Sequence, residues 1–549
     1  MRLDLRSPKL AFGFASTTLA ACCLAGNAFA QTTKPADAPP ATATDTKTGA
    51  DTKLDTSAAA PATEGPTPQQ LIDKGDAALK AGDFKTALSA YNDLVSMAER
   101  GTSPDAFQAL AKGYIGRGNA LIGLRQFDSA IDDFKKVIDS DANNVAALIG
   151  RGKARLELNQ TDTALQDFKD AAKADQGSVD AQLGLGKALV SLGHSEEAIA
   201  PLTLAIAADE KNAEAYRYRG TAYAGTFKNK EATDDLLKSI ELNPDDQEAY
   251  YTLAMIHLRA EEYQDAVDEL GKAIEHYKPK PGQEDVPYVQ GYLTHASALI
   301  ELGKKAKDDA ARKAAYQASV DDCDKLLKQL NEKNPAHAQV RAAALYSRGV
   351  AERMLENYGE AVRSFSQAIE INPTMGDAYF RRGICFHNLN EEKMAISDFQ
   401  QAAHILFDDP RCNLWEGFTY AKMGDYNEAI RAYGDAIAAS DRYTPAYANR
   451  ALAYMMLGDY KKAVNDFNDA IRLNPTTAQY YYQRGVAYEM LKDNQRAAES
   501  FATALQFDNK NADTYKHMAI VQQALGHADT AAEYSKKAEE FKVPEKPKK

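Results

Sequence analysis

A small residue returns every 34 residues through most of this chain, and that interval constrains its fold more than any other property. The unit is clearest at residues 444–477, TPAYANRALAYMMLGDYKKAVNDFNDAIRLNPTT. With Thr444 as position 1, Ala463 is position 20. Its counterparts are Ala87, Ala130, Ala164, Ala198, Ala232, Ala266, Cys323, Ala361, Ala395, Ala429, Ala497 and Ala531, and nine of the twelve intervals are 34 residues. Position 24 carries a large apolar side chain, from Tyr91 and Phe134 to Phe467 and Phe501, with Tyr534 assigned to it in the last unit. Position 8 is glycine or alanine from Gly75 to Ala519. Glycine inside a helix costs about 1 kcal/mol against alanine, so its recurrence at one site predicts a helix crossing too close for a Cβ. Ala451 with Tyr454 on one helical pattern faces Ala463, Phe467 and Ala470 on the next. Gly458-Asp459 marks a turn between the two patterns and Asn474-Pro475 a stop after the second.

These residues at this period resemble the tetratricopeptide repeat. The resemblance implies an all-α fold, a right-handed α-solenoid of about 13 antiparallel helix pairs with one continuous core. Three intervals depart from 34. From Ala87 to Ala130 nine extra residues predict longer helices around 97–111. From Ala266 to Cys323 there are 23 extra. Eight of them fall in KPKPGQEDVP, where three prolines forbid a helix, and fifteen fall in 303–317, where Ala, Lys and Asp favour a longer second helix. From Cys323 to Ala361 there are four extra. The expected organisation is a signal segment 1–30, a linker 31–66, a first block of six repeats at 67–277, a proline-rich loop 278–286, a second block of seven repeats at 287–541 and a basic tail 542–549.

Arg2, Arg6 and Lys9 precede an apolar run that ends in Ala28-Phe29-Ala30. This is the pattern of a secretory signal peptide cleaved after Ala30. Leu19-Ala20-Ala21-Cys22 inside the same run resembles a bacterial lipobox, which would leave Cys22 lipidated. Either route exports the chain, to the periplasm or the medium in the first case and to an outer-membrane lipoprotein facing the periplasm in the second. The linker holds nine Thr, nine Ala and five Pro among its 36 residues, and Leu54 is its one large aliphatic side chain. It is expected to stay disordered for lack of apolar surface to bury. No later run reaches the length needed to span a membrane.

A formal net charge of −13 lacks the basic footprint of a nucleic-acid binder. Within the repeats, position 7 is arginine in Arg117, Arg151, Arg219, Arg348, Arg382, Arg450 and Arg484. Position 23 is aspartate in Asp133, Asp167, Asp235, Asp398 and Asp466. Each of these aspartates has its arginine, and the other two arginines face Ser364 and Ser500. This co-occurrence predicts an Arg–Asp contact between paired helices, which the planar guanidinium fork suits. Gly184-Leu185-Gly186-Lys187 and Gly116-Arg117-Gly118 have the composition of phosphate loops, yet no strand precedes them and close helix packing explains them better. Cys385 and His387 are two apart on a helix and do not face each other. No catalytic, cofactor or metal constellation emerges, and the chain reads as a non-enzyme. Past the signal segment stand Cys323, Cys385 and Cys412. Cys323 is expected as a buried thiol, and a Cys385–Cys412 bridge is disfavoured by two helical turns of offset.

In the tetratricopeptide family, positions 2, 5, 9, 12 and 13 of the first helix line a concave face that holds partner peptides. Here the second block carries the larger groups at those places: Tyr346, Arg353, Phe380, His387, Phe418, Met455, Met456 and Tyr482. They are the candidate anchors for an extended or helical segment. The same stripe could instead be consumed where neighbouring first helices touch. The Lys and Asn set with which some relatives clamp a C-terminal carboxylate is not reproduced in consecutive repeats. The expected function is a non-catalytic protein-interaction scaffold of the cell envelope, with other envelope or secreted proteins as partners and self-association as a further option. An accessory or regulatory subunit that recruits an envelope or polysaccharide-processing enzyme is the alternative.

Overall fold

The computed structural model describes residues 66–101, 104–279 and 287–542. Cys22, the cleavage after Ala30, the linker up to residue 65, most of the proline-rich loop and the tail from 543 lie outside the described residues. Those described form 26 α-helices and no strand. They divide into two compact units, 66–279 and 287–542. The first unit is six helix pairs, from Pro68–Lys80 with Phe84–Ala98 to Gln247–Arg259 with Tyr263–Glu275. The second is seven pairs, from Val289–Lys305 with Asp309–Gln329 to Ala512–Ala524 with Ala528–Glu540. Numbered in chain order, these are repeats 1 to 13. The extra residues fall where helices lengthen: Pro104–Gly123 has 20 residues and Asp309–Gln329 has 21.

One turn geometry joins the two helices of every repeat except the seventh. Position 15 has positive φ throughout, as glycine at Gly82, Gly193, Gly424, Gly458 and Gly526 and as another residue at the remaining seven, Phe227 and Lys492 among them. In the 444–477 unit the Gly458 N–H donates to the Met455 carbonyl and the Asp459 N–H to the Tyr454 carbonyl, closing the helix end. Asp459 then starts the next helix, its side chain accepting from the Lys462 N–H. Holding phenylalanine or lysine in the left-handed region costs about 1 kcal/mol or more, so the flanking packing overrides local preference there.

The position-20 alanines are sealed between helices, Ala463 with no exposed surface. Phe134, Phe168, Phe365, Phe399 and Phe501 at position 24 are equally buried. A Cβ added to Gly383 would lie 2.7 Å from the Phe399 ring and one on Gly152 2.8 Å from the Phe168 ring, so the position-8 glycines make room for the ring of their own repeat. In repeats 1 to 3 the ring is clasped from both sides, Tyr91 by Gly75 and Gly116, Phe134 by Gly118 and Gly150, and Phe168 by Gly152 and Gly184. A Cβ on Gly184 would lie 2.2 Å from the same Phe168 ring, one repeat earlier in the chain. The glycines of the Gly184-Leu185-Gly186-Lys187 stretch are therefore packing seats, Gly184 for the Phe168 ring and Gly186 for the Leu202 side chain. Two register assignments change. In repeat 7, Leu326 is fully buried, whereas Leu327 is only partly so. In repeat 13, Ser535 stands four residues after Ala531, and Tyr534 turns aside to stack on Tyr515 with centroids 6.0 Å apart.

All five Arg–Asp pairs form. Arg117 grips Asp133 through Nε at 2.6 Å and Nη2 at 2.7 Å, and Arg382 grips Asp398 through the same two nitrogens at 2.8 Å each. Arg348 and Arg484 donate instead to the Ser364 and Ser500 hydroxyls. The third guanidinium nitrogen reaches back one repeat, which spacing within a repeat does not reveal. Nη1 of Arg117, Arg219, Arg382 and Arg484 donates to Asn92, Thr203, Ser366 and Asn468, all at position 25 of the preceding second helix. Each of these arginines thus ties three helices together.

Candidate interaction surface

The eight candidate anchors separate into buried and accessible groups. Phe380, Met455 and His387 are buried in the second unit, at 3%, 7% and 8% exposure. Phe380 packs against Phe399 at 6.0 Å between centroids, and the Arg411 guanidinium covers its ring. Met455 joins the cluster of Ala451, Ala463 and Phe467. These three fill the seam between neighbouring first helices, the second use foreseen for the stripe. Tyr482 is half-buried against Phe501 and His517, and burial pushes its hydroxyl up to about 12. Phe418 and Met456 are exposed, each at 38%.

Other exposed apolar side chains share the register of those two. Met423 at position 14, Met490 at position 13 and Ile520 at position 9 lie in the first helices of repeats 10, 12 and 13, and Leu457 at position 14 caps that of repeat 11. Their positions alternate with the buried ones because consecutive residues turn about 100° around a helix. Met423, Leu457 and Met490 escaped the sequence reading. Their signal was there, as an apolar residue at the end of the first helix where a globular helix turns polar.

His387 sits at the seam between repeats 9 and 10. Its Nδ1 lies 3.0 Å from Thr419 Oγ1, and its ring meets Trp415 edge-on at 5.6 Å and Phe418 at 5.4 Å. The Lys422 ammonium donates to the His387 carbonyl at 2.9 Å. Burial, then the Lys422 charge, lowers the imidazole pKa to about 4. The folded value lies below the unfolded one of about 6.5, so the neutral ring contributes stability that is complete above pH 6.5. That contribution is lost as pH falls from 6.5 to about 4. Between pH 7 and pH 4, wild type is expected to lose about 2–3 kcal/mol more than His387→Gln, which keeps a polar partner for Thr419. Denaturant melts of both at the two pH values check this, and parallel losses would refute it.

Arg353 and Arg381 lie on successive first helices beside Tyr346. Arg381 Nε donates to the Tyr346 hydroxyl at 2.8 Å, and its guanidinium stands over that ring, 5.8 Å from the centroid. Burial raises the Tyr346 pKa against the pull of Arg381. Arg353 Nε is buried without an acceptor. Burial, with the Arg381 charge second, depresses the Arg353 pKa.

Cys323, Cys385 and Cys412 are free and buried, and burial raises each thiol pKa. Among the described residues one grouping could offer three metal ligands, His257, Glu262 and Asp265. Both carboxylates are exposed and His257 Nδ1 already sits 2.7 Å from Glu262, an arrangement that surface charges reach without an ion. No helix among the described residues is long and apolar enough to cross a membrane.

This stack of helix pairs defines the class: a tetratricopeptide-repeat solenoid. Models described as tetratricopeptide or TPR repeats match residues 115–179, 155–218, 236–268, 342–375, 417–466, 452–492 and 478–511, and those segments are tetratricopeptide repeats. Among curated proteins, the chain is similar to small glutamine-rich tetratricopeptide repeat-containing protein 2 of Mycosarcoma maydis. They are 29% identical over 100 residues, 17% of this chain and 26% of that one. It is 27% identical over 175 residues to the Hsp70-Hsp90 organizing protein of Triticum aestivum, covering 31% of this chain and 26% of that one. The chain thus spans about a quarter of the length of these relatives. Among solved structures, Cut9–Hcn1 of the APC/C is 16% identical and covers 81% of this chain and 96% of its own, with a TM-score of 0.32. MamA of Desulfovibrio magneticus RS-1 is 19% identical over 30% of this chain and 94% of its own, at 0.29. PilF of Pseudomonas aeruginosa is 19% identical over 38% and 98%, at 0.32. None of these similarities bears on a partner.

Proposed function

We propose that this protein is a non-catalytic interaction scaffold of the cell envelope, and that a peptide or helical segment of a partner lies along the first helices of repeats 10 to 13. The observation that carries the reading is the run of exposed Phe418, Met423, Met456, Leu457, Met490 and Ile520 at three register positions, next to a seam where neighbouring residues are buried. A methionine-rich apolar surface adapts its shape to the segment laid on it. The recurrence of these positions along successive repeats suits an elongated ligand better than a compact one. Export is supported by the basic, apolar and Ala28-Phe29-Ala30 pattern of the first thirty residues.

Crosslinking in envelope fractions of the native host tests the surface. Phe418→Ser, Met456→Ser and Met490→Ser combined is expected to lose the crosslinked partner and keep the wild-type melting midpoint, because the three side chains are exposed. Crosslinks that persist at wild-type yield would refute the surface. Recovery of the chain in cytosolic fractions alone would refute the location.

A further inference from the structure

We propose that Arg353 and Arg381 together receive the carboxylate of an acidic side chain carried by a bound segment, which adds a polar specificity to the apolar surface and rests on the scaffold reading above. The two cations depart from the pattern of their unit, as does half-buried Arg484, which spends its guanidinium on the Ser500 hydroxyl and the Asn468 side-chain carbonyl. Half-buried Arg341, Arg348, Arg382, Arg411 and Arg450 each hold a carboxylate at 2.5–2.9 Å. Among the described residues neither Arg353 nor Arg381 has one within 4 Å, although both are half-buried. Asp377, the acid whose charge is felt at Tyr346, is turned to Arg411 at 3.8 Å.

Two guanidiniums without a counter-charge in a partly dry seam repel each other. Stacking does not relieve that. Arg353 also leaves Nε without an acceptor, while its Nη2 donates to the weakly accepting sulfur of the adjacent Met354 at 3.4 Å. The Tyr346 hydroxyl meanwhile fixes Arg381 through Nε, which leaves the Nη edge of that fork to another acceptor. A carboxylate suits this arrangement because it accepts from two forks at once and cancels one unit of charge. Arg353 is at position 12 of repeat 8 and Arg381 at position 6 of repeat 9. The site therefore lies on the same series of first helices as the apolar surface, in the two repeats before that of Phe418.

Glutarate, which ends in the same group as a glutamate side chain, is the probe. With the purified full chain, 50 mM glutarate is expected to raise the melting midpoint by about 2–4 °C over sodium chloride of equal ionic strength. Arg353→Gln and Arg381→Gln should each remove that difference. Arg472→Gln, at an exposed site paired only with Asp469, should retain it. A midpoint no higher in glutarate than in chloride would overturn the proposal, and so would an undiminished response in Arg381→Gln. Should the glutamine variants fail to fold, Arg353→Lys and Arg381→Lys preserve the charge and lose the fork. Each is then expected to bind glutarate about tenfold more weakly in titration calorimetry, and equal affinity would overturn the proposal. The Phe418, Met456 and Met490 crosslinking result is independent of glutarate, so the scaffold reading and this one fail separately.

Discussion

Asp167→Ala is expected to lower the stability of the 66–279 unit by about 3–5 kcal/mol, the range for stranding a buried charge. Asp167 is 1% exposed and accepts from two arginines, Arg151 through Nη2 at 2.7 Å and Arg155 through Nη1 at 2.6 Å. Removing the carboxylate leaves two guanidiniums, one turn apart on Val145–Glu157, without the acceptor they share. The loss should not be read as the net contribution of the pair, because burying three charged groups is itself costly. Replacing all three together, Arg151→Met, Arg155→Met and Asp167→Leu, is therefore expected to fall within about 1–2 kcal/mol of wild type. Urea melts of the single and triple variants measure the contrast. A single variant as stable as wild type would show that the position-7 lock does not operate.

Phe399→Ala is the second large effect, about 3–5 kcal/mol. The ring is fully buried, with Gly383 pressed on one side, Phe380 at 6.0 Å and Trp415 at 6.1 Å between centroids. Gly383 and Phe380 belong to the same repeat and Trp415 to the next, so the vacated volume lies across a junction. In an array whose stability is the sum of repeats and nearest-neighbour interfaces, a gap at a junction loosens the pairs on both sides. Hydrogen exchange should accelerate in Gly376–Asn388 and Pro410–Met423 and stay at the wild-type rate in Ala512–Ala524. Phe399→Leu is expected to restore all but about 1 kcal/mol, since Leu202, Leu236 and Leu270 fill the same place in repeats 4 to 6. Uniform acceleration along the whole unit would argue against nearest-neighbour coupling.

Much of the helix-pair architecture was legible because the chain repeats itself. One repeat serves as a control for another, so Arg450 with Asp466 can be recognised as a packing lock from its recurrence in Arg117 with Asp133 and three further pairs. The longer helices at Pro104–Gly123 and Asp309–Gln329 followed from interval lengths alone. What lay between repeats was harder to read. The Nη1 bonds to Thr203, Ser366 and Asn468 join position 7 to a residue 16 earlier in the chain, and the one to Asn92 reaches 25 back across the longer interval. Those acceptors are of mixed type, so no single residue signals them. Tyr534 was misplaced because the last repeat puts serine where the others put a ring or a leucine.

The anchors were the least legible. Met455 and Met456 are neighbours of identical chemistry, yet the first is buried with Phe467 and the second is exposed. Likewise Phe380 sits under Arg411 while Phe418 reaches solvent. Which fate a side chain meets depends on the crossing of the next first helix, which covers Phe380, Leu414 and Ala448 at position 5 and leaves Phe418 and Ile520 at position 9 open. That crossing is set by side chains 34 residues away and has no expression in local spacing. By itself, the sequence determined the helix pair, its turn and its internal lock, because all three depend on contacts within one period. The tertiary structure alone decided which of the non-repeating residues are seam and which are surface, because that division is made by the neighbouring pair.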